Sequence, residues 1–218
     1  TAPRGRPGGG LALTMRLLIV ADTAHTWPTN AEGRYDLAPL VRAHAPDALV
    51  SLGDFDDLHA EVMARSGAPA VYGVYGNHCV SDYMAGNGIV DLIGDRSVPA
   101  GFGTLELPGH QPVSVLSVQG CVRYKPGAGD VLFTQEQYAA VLDRLPAADL
   151  VITHAPPLGV NDAPDDAHVG VEALRRWVDR HQPRWLIHGH TYENPPRSRH
   201  GRTEIIYVHG HAVVDLPI

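Results

Sequence analysis

Residues 16–22 of this chain read Arg16-Leu-Leu-Ile-Val-Ala-Asp22, a short apolar run that ends in a carboxylate. An apolar run of this length between polar residues is typical of a strand whose two faces are both covered. Two similar runs follow at 47–52 and 70–75, and residues with helical spacing at 37–44 and 58–65 separate the three strands. The order strand, helix, strand, helix, strand predicts a parallel sheet with right-handed crossovers.

The second half of the chain predicts a second sheet. Runs at 103–107 and 113–118, separated by Pro108-Gly109, have the signature of a hairpin. Helices are predicted over 134–145, where Thr134 and Gln137 form a capping box, and over 171–181. Four more strands are predicted, at 149–153, 184–187, 203–208 and 212–216. We interpret residues 15–218 as one domain of two β-rich sheets with helices outside, and residues 1–14 as a flexible extension.

Composition and charge argue against several classes of function. The chain carries a formal net charge of −7, which argues against a protein that coats duplex nucleic acid. No apolar run approaches the roughly 18 residues that a membrane span requires. Arg4 and Arg6 precede apolar residues at 11–21, as in a signal peptide, but Arg16 interrupts that stretch. Because the chain has only two cysteines and no disulfide framework, we expect a reducing compartment and cytoplasmic localisation.

Residues that can ligate a metal follow several of the predicted strands. They are Asp22, with His25 close behind it, Asp54, the pair Asn77-His78, His154, and His190, with His188 as the other choice in that motif. Each alone is common as a cap or turn residue, but strand ends in α/β folds meet at one crevice, so together they favour one site. Oxygen and imidazole donors without thiolate favour Mn, Fe, Zn or Mg over a structural zinc site. Two such ions about 3.5 to 4 Å apart could clamp a phosphoryl group.

The order of these motifs resembles that of the calcineurin-like metallophosphoesterase superfamily. The matching motifs cover nearly the whole chain and are Asp22, Gly53-Asp54, Gly76-Asn77-His78, Thr153-His154 and Gly189-His190-Thr191. The resemblance implies an α/β fold, a four-layer αββα sandwich of two mixed β-sheets flanked by helices. It also implies hydrolysis of a phosphomonoester or phosphodiester by metal-activated water.

The resemblance further implies a role for each matching residue. Asp54 would be the catalytic carboxylate that bridges two metal ions. Asn77, His154 and His190 would complete one metal site. Asp22 would belong to the other site.

His78 would contact the substrate phosphate and protonate the leaving group, a task that suits an imidazole with a reference pKa of about 6.5. The family has Asp or Glu after the Asn-His pair to orient this histidine. This chain has Cys79 there, and a thiol is a poor substitute for a carboxylate acceptor. The alternative carboxylates that could orient His78 are Asp56, Asp57 and Asp82.

The metal site of Asp22 lacks two histidines that the family has. The first motif reads Asp22-Thr-Ala-His25, which displaces the histidine by one position, and the last motif ends in Tyr192. We therefore predict one tight and one weak metal site. His25 is the expected compensating ligand, and Tyr192 could supply a phenol oxygen. His209 and His211 are expected to lie in a tight turn, and either is a less favoured ligand.

We expect a divalent metal cofactor, with Mn²⁺ as the first choice and Fe, Zn or Mg²⁺ as alternatives. The expected partner is a phosphorylated small molecule or nucleotide, with nucleic acid less favoured and no membrane partner. Two other functions stay open. One is a metal- or phosphate-binding module of the same fold with weak or no hydrolysis, and the other is a nuclease.

Overall fold

The computed structural model describes residues 14–126 and 131–218. Thr14 already belongs to the first strand, and the rest of the extension predicted for residues 1–14 lies outside the described residues. The described strands are β1 (Thr14–Ala21), β2 (Ala48–Ser51), β3 (Val71–Gly73), β4 (Val90–Asp91), β5 (Ala100–Leu105), β6 (Val113–Val118), β7 (Cys121–Val122), β8 (Leu132–Phe133), β9 (Leu150–Thr153), β10 (Trp185–His188), β11 (Arg197–His200), β12 (Thr203–Tyr207) and β13 (Gly210–Pro217).

The helices are short and lie between strands in both halves of the chain. The described helices are α1 (Ala38–His44), α2 (Asp57–Ala64), α3 (Tyr83–Gly86), α4 (Gln135–Leu142) and α5 (Glu172–His181). Four of them were predicted from the sequence, with ends within a few residues, and α3 was not. Within the described part of the chain, none of the helices combines the length and the apolar character needed to cross a membrane.

Eleven of the described strands form two mixed sheets, and β7 and β8 pair in a separate two-stranded parallel sheet. The first has the order β13-β1-β2-β3-β4, and the second has the order β11-β12-β10-β9-β6-β5. In the first sheet, β1, β2 and β3 are parallel, as predicted, β4 extends the parallel part without having been predicted, and β13 is antiparallel to β1. In the second sheet, β6, β9, β10 and β12 are parallel, and β5 and β11 lie antiparallel at the two edges.

Alternating residues of the central strands bury into two different cores, as the two-residue period of a strand requires. In β1, Leu17 and Ile19 pack in the core between the sheets, together with apolar residues of β9 and β10 and with no helix residue. Leu18 and Val20 face the other way and pack in a core that includes the buried side of the helices. The predicted four-layer αββα sandwich of two mixed sheets is therefore confirmed.

The C-terminal strands differ from the prediction. The sequence predicted a tight turn at His209-Gly-His211 between two neighbouring strands. Instead, β12 pairs in the second sheet and β13 pairs with β1 in the first, so residues 208–210 cross from one sheet to the other. Gly210 lies opposite Ala21 in the β1–β13 register. This crossing delivers His209 to the end of β1.

The first prediction concerns the N-terminus of α4. Thr134 accepts a hydrogen bond from the Gln137 amide, and the Gln137 side chain accepts one from the Thr134 amide, which confirms the predicted capping box. Thr134→Ala should lower the free energy of unfolding by about 0.5 to 2 kcal/mol, because it leaves a helix N–H without its acceptor. Thr134→Ser keeps the acceptor and should change stability little. Urea denaturation of both variants checks this, and equal stability of Thr134→Ala and the unmodified protein would contradict it.

Candidate metal centre

The carboxyl ends of strands from both sheets meet at one cavity. Asp22 follows β1, Asp54 follows β2, and Asn77 lies in the segment after β3, all in the first sheet. His154 and His190 follow β9 and β10 in the second sheet. The cavity has a volume of about 390 Å³, and its described lining is Asp22, Thr23, Asp54, Asn77, His78, Tyr124, Ala167, His168, His190, Tyr192 and His209.

Three of these residues have a left-handed backbone conformation. The φ angles of Asp22, Asp54 and His190 are +63°, +65° and +67°. Such conformations in residues other than glycine typically cost about 1 to 3 kcal/mol and cluster at functional sites. Each of the three follows the end of a central strand, where the chain turns sharply beside the cavity.

Glycines allow the strand ends to approach each other. A Cβ atom on Gly76 would overlap the Asp54 side chain, and would lie 2.5 Å from the Asp54 nitrogen and 2.7 Å from Cε1 of His154. A Cβ atom on Gly189 would lie 3.0 Å from Oδ2 of Asp22. The glycine that precedes each ligand-type residue is therefore a requirement of close packing, which gives the Gly-Asn and Gly-His pairs of the sequence a physical reason.

Asp54, His154 and His190 form a compact group of ligand atoms. One ligand atom from each lies within 4.8 Å of the others, and both imidazoles are buried. Nε2 of His154 lies 3.6 Å from Oδ2 of Asp54, and the His154 and His190 rings are 4.8 Å apart. The sequence placed these three residues in one metal site, and the fold brings them together.

The hydrogen bonds of His154 indicate how its ring is oriented toward an ion. Nδ1 lies 2.8 Å from the Leu52 carbonyl oxygen, which can only accept, so Nδ1 carries the proton. In the neutral ring, Nε2 then presents a lone pair, and Oδ1 of Asn77 lies 2.8 Å from it. An imidazole nitrogen and an amide oxygen at this separation can both bind the same divalent ion. The donor set fits a divalent ion.

His190 is prepared as a ligand in a similar way. Its Nε2 donates to the Ala167 carbonyl oxygen at 2.8 Å, which leaves Nδ1 free to bind an ion. Burial, with the neighbouring His154 as a smaller cause, lowers the pKa of His190 to about 2. The ring is therefore neutral near pH 7, the form that metal ligation requires.

Charge balance also favours a cation in this cavity. Its described lining contains the carboxylates of Asp22 and Asp54 and no lysine or arginine side chain. The side chains of Asp22 and Asp54 are only 9% and 12% exposed. Buried carboxylates need a compensating positive charge or a metal ion. The residues present thus fit the divalent metal that the sequence predicted.

Asp22 lies at the edge of this group, next to a histidine that was not the expected one. Both carboxylate oxygens accept from the His190 amide at 3.0 Å. Oδ2 also lies 3.5 Å from Nδ1 of His209, and this contact raises the pKa of His209. His25 is exposed and does not line the cavity, so the fold does not bring it to Asp22. Tyr192 lines the cavity, with its ring 5.7 Å from that of His209.

His78 lines the cavity with an exposed side chain, and its backbone N–H donates to Oδ1 of Asp54 at 2.8 Å. The three carboxylates proposed to orient it are engaged elsewhere: Asp56 caps α2, Asp57 accepts from Ser81, and Asp82 pairs with Arg96.

Cys79, which stands where the family has Asp or Glu, has a different role from a carboxylate. Its buried sulfur accepts from the Asp54 and Gly76 amides at 3.3 and 3.2 Å. Burial raises the pKa of the thiol, so it stays neutral. Cys79 therefore supports the backbone beneath Asp54 and makes no described bond to the His78 ring.

Two further histidines are distinguished by their contacts. His188 is fully buried, bonds to Asn161 and does not line the cavity, so His190 is the histidine of that motif at the site. His168 lines the rim, where Asp165 holds its Nδ1 at 2.7 Å and its ring lies 5.1 Å from His190.

The model of the family described as calcineurin-like phosphoesterase matches residues 15–194, and the chain belongs to that family. No curated protein sequence matches the chain. Among solved structures, a dimetal phosphatase from Danio rerio is 17% identical, with 90% of this chain and 87% of that chain covered and a TM-score of 0.55. The phosphopantetheinyl hydrolase of Mycobacterium tuberculosis is 15% identical, with 91% and 90% covered and a TM-score of 0.55.

A third neighbour is described differently. GAP50, the anchor in the inner membrane complex of Plasmodium, is 14% identical, with 90% of this chain and 71% of that chain covered and a TM-score of 0.52. At these identities the likeness concerns the fold. Family membership supports metal-dependent phosphoester hydrolysis as the general activity of the chain.

The second prediction tests the close approach at the site. Gly76→Ala should weaken metal binding strongly, because the added methyl group overlaps the Asp54 side chain and crowds the His154 ring. Gly103→Ala is the matched control, since a Cβ there meets nothing within 4 Å. The control should stay within about 0.5 kcal/mol of the unmodified protein in stability. Calorimetric titration with Mn²⁺ checks both variants, and unchanged binding by Gly76→Ala would show that the geometry described for Asp54 and His154 is incorrect.

Proposed function

We propose that the protein is a metal-dependent hydrolase of phosphoesters whose active site is the cavity at the meeting strand ends. The observation that supports this most directly is the group of Asp54, Asn77, His154 and His190 around one point. These four residues would hold the tighter metal ion. When bound, a divalent ion supplies Lewis-acid polarisation of a phosphoryl oxygen and lowers the pKa of water. The oxygen and nitrogen donors suit Mn²⁺ first, with Fe, Zn or Mg²⁺ as alternatives.

In this proposal His78 donates a proton to the leaving oxygen. It lines the cavity, and its backbone N–H is tied to Asp54, so its position follows that of the bridging carboxylate. An imidazole with a reference pKa of about 6.5 can donate a proton near neutral pH. None of the carboxylates in residues 14–126 and 131–218 bonds to the His78 ring, so in this proposal the substrate fixes the ring on binding.

The size and chemistry of the cavity support a phosphorylated small molecule or nucleotide as the substrate class. A volume of about 390 Å³ suits a phosphorylated small molecule or nucleotide, as monoester or diester. A nuclease is the weaker alternative, because the described lining has no lysine or arginine to follow a nucleic acid backbone. Both cysteines are buried and neither forms a disulfide, in keeping with a reducing compartment, and we propose a cytoplasmic location.

A second candidate is a metal- or phosphate-binding module with weak or no hydrolysis. Tyr192 in place of a histidine and Cys79 in place of a carboxylate favour it. GAP50, whose description is that of an anchor, is an example of a different role among proteins of similar fold.

Hydrolysis of bis(p-nitrophenyl) phosphate and p-nitrophenyl phosphate with added Mn²⁺ separates the two candidates. Turnover that depends on Mn²⁺ supports the enzyme. Tight binding of a phosphorylated ligand without turnover, with metal bound, supports the binding module instead.

The third prediction separates metal binding from proton transfer. Asp54→Asn should lose metal as well as activity, because it removes the charge shared by both sites. His78→Ala should keep the metal and lower kcat by about 10² to 10⁴-fold, the usual contribution of a general acid or base. His44→Ala, at the exposed end of α1, is the control. Metal analysis and kcat on the same preparations check this, and an unchanged kcat in His78→Ala would remove His78 from the mechanism.

The fourth prediction concerns metal stoichiometry. The site of Asp54, Asn77, His154 and His190 has a full set of ligands, whereas Asp22 has lost two imidazoles from their family positions. About one equivalent of metal should survive dialysis, and a second should enter only at high Mn²⁺, because affinity follows ligand number and type. Elemental analysis before and after dialysis measures this. Two equivalents that both survive dialysis would contradict the predicted inequality of the sites.

A further inference from the structure

The second metal site is formed on one side by Asp22, and the fold brings a histidine there from the far end of the chain. Gly210 pairs with Ala21 at the end of β1, so the residue before Gly210 lies opposite the residue after Ala21. Those two residues are His209 and Asp22. The Val208 amide donates to the His188 carbonyl at 2.9 Å, which fixes the other side of the crossing to the second sheet.

Side-chain contacts agree with this placement. Nδ1 of His209 lies 3.5 Å from Oδ2 of Asp22, and both line the cavity together with Asp54 and Tyr192. The Asp22 carboxylate is itself held by the His190 amide, so its direction is fixed. The His209 side chain is 37% exposed, which leaves its ring accessible to an ion from solvent.

The positions of the other histidines near Asp22 exclude them as ligands of the second metal site. Nδ1 of His211 lies 2.9 Å from Oγ1 of Thr26, away from the cavity. His25 is exposed, and its backbone N–H donates to the Thr23 hydroxyl within the turn after β1. His209 is therefore the imidazole that lies next to Asp22 without a ligand role in the first site.

We propose that His209 is a ligand of the second metal site, with Asp22 and the bridging Asp54, in place of the imidazoles missing at positions 24 and 192. This inference rests on the proposed function, since it needs a first ion at Asp54. An imidazole beside two carboxylates is a suitable donor set for Mn²⁺, Fe or Zn. The ligand comes from the crossing between the two sheets, so the second site depends on the pairing of β13 with β1.

Calorimetric titration of Mn²⁺ into the metal-free full chain tests this inference. His209→Ala should leave the first equivalent unchanged and weaken the second by at least about tenfold, the lower end of what loss of even a supporting partner costs. His209→Gln should do the same, and circular dichroism confirms that both variants fold. His211→Ala is the matched control and should bind both equivalents as the unmodified protein does. The double variant Tyr192→His, His209→Ala should regain the second equivalent, because it restores a family ligand.

Electron paramagnetic resonance supplies a readout that does not depend on activity. With excess Mn²⁺ the unmodified protein should show the spectrum of a coupled pair, as expected for ions about 3.5 to 4 Å apart. His209→Ala should show only isolated Mn²⁺ under the same conditions. A coupled pair that persists in His209→Ala, an equal loss in His211→Ala, or no second equivalent in the unmodified protein would overturn the inference alone. Absence of any bound Mn²⁺ in the unmodified protein would overturn the proposed function as well.

Discussion

The imidazole of His154 connects the two sheets at the point on which the site depends. The residue follows β9 in the second sheet, yet its Nδ1 bonds to the Leu52 carbonyl of the first, and its Nε2 faces Asn77 and Asp54. The His154 ring fits between the two sheets only because Gly76 places no side chain between the strand ends. Close approach of the sheets and assembly of the metal ligands are therefore one requirement. A substitution that separates the strand ends would disturb the fold and the chemistry together.

Much of the fold and of the first metal site could be predicted from the sequence, because both depend on local patterns. Apolar runs mark the strands, and Asp54, His154 and His190 each follow a strand within a few residues of its end, where the parallel order of the strands brings them together. The capping box of Thr134 is likewise a pattern of four consecutive residues. These features need no knowledge of which strands pair across the sandwich.

The second site could not be predicted in the same way, because it depends on a pairing between residues far apart in the chain. The sequence indicated a tight turn at His209, whereas the chain crosses there to the other sheet and pairs with β1. His25 is close to Asp22 in sequence but is exposed and does not line the cavity. His209 is 187 positions from Asp22 in the chain (209 − 22) but adjacent to it in space. The role of Cys79 also differs from that of the family residue at its position. Its sulfur accepts hydrogen bonds from backbone amides, whereas the family's carboxylate would orient a histidine. In both places a departure from the family motif is accompanied by a different local arrangement.

The central claim is that Asp54, Asn77, His154 and His190 hold a divalent ion between the two sheets. X-ray diffraction from crystals grown with Mn²⁺, recorded at the manganese absorption edge, tests it most directly. The account predicts a strong anomalous peak at coordination distance from Oδ2 of Asp54, Oδ1 of Asn77, Nε2 of His154 and Nδ1 of His190. A crystal with Mn²⁺ elsewhere and none at these four atoms would contradict it.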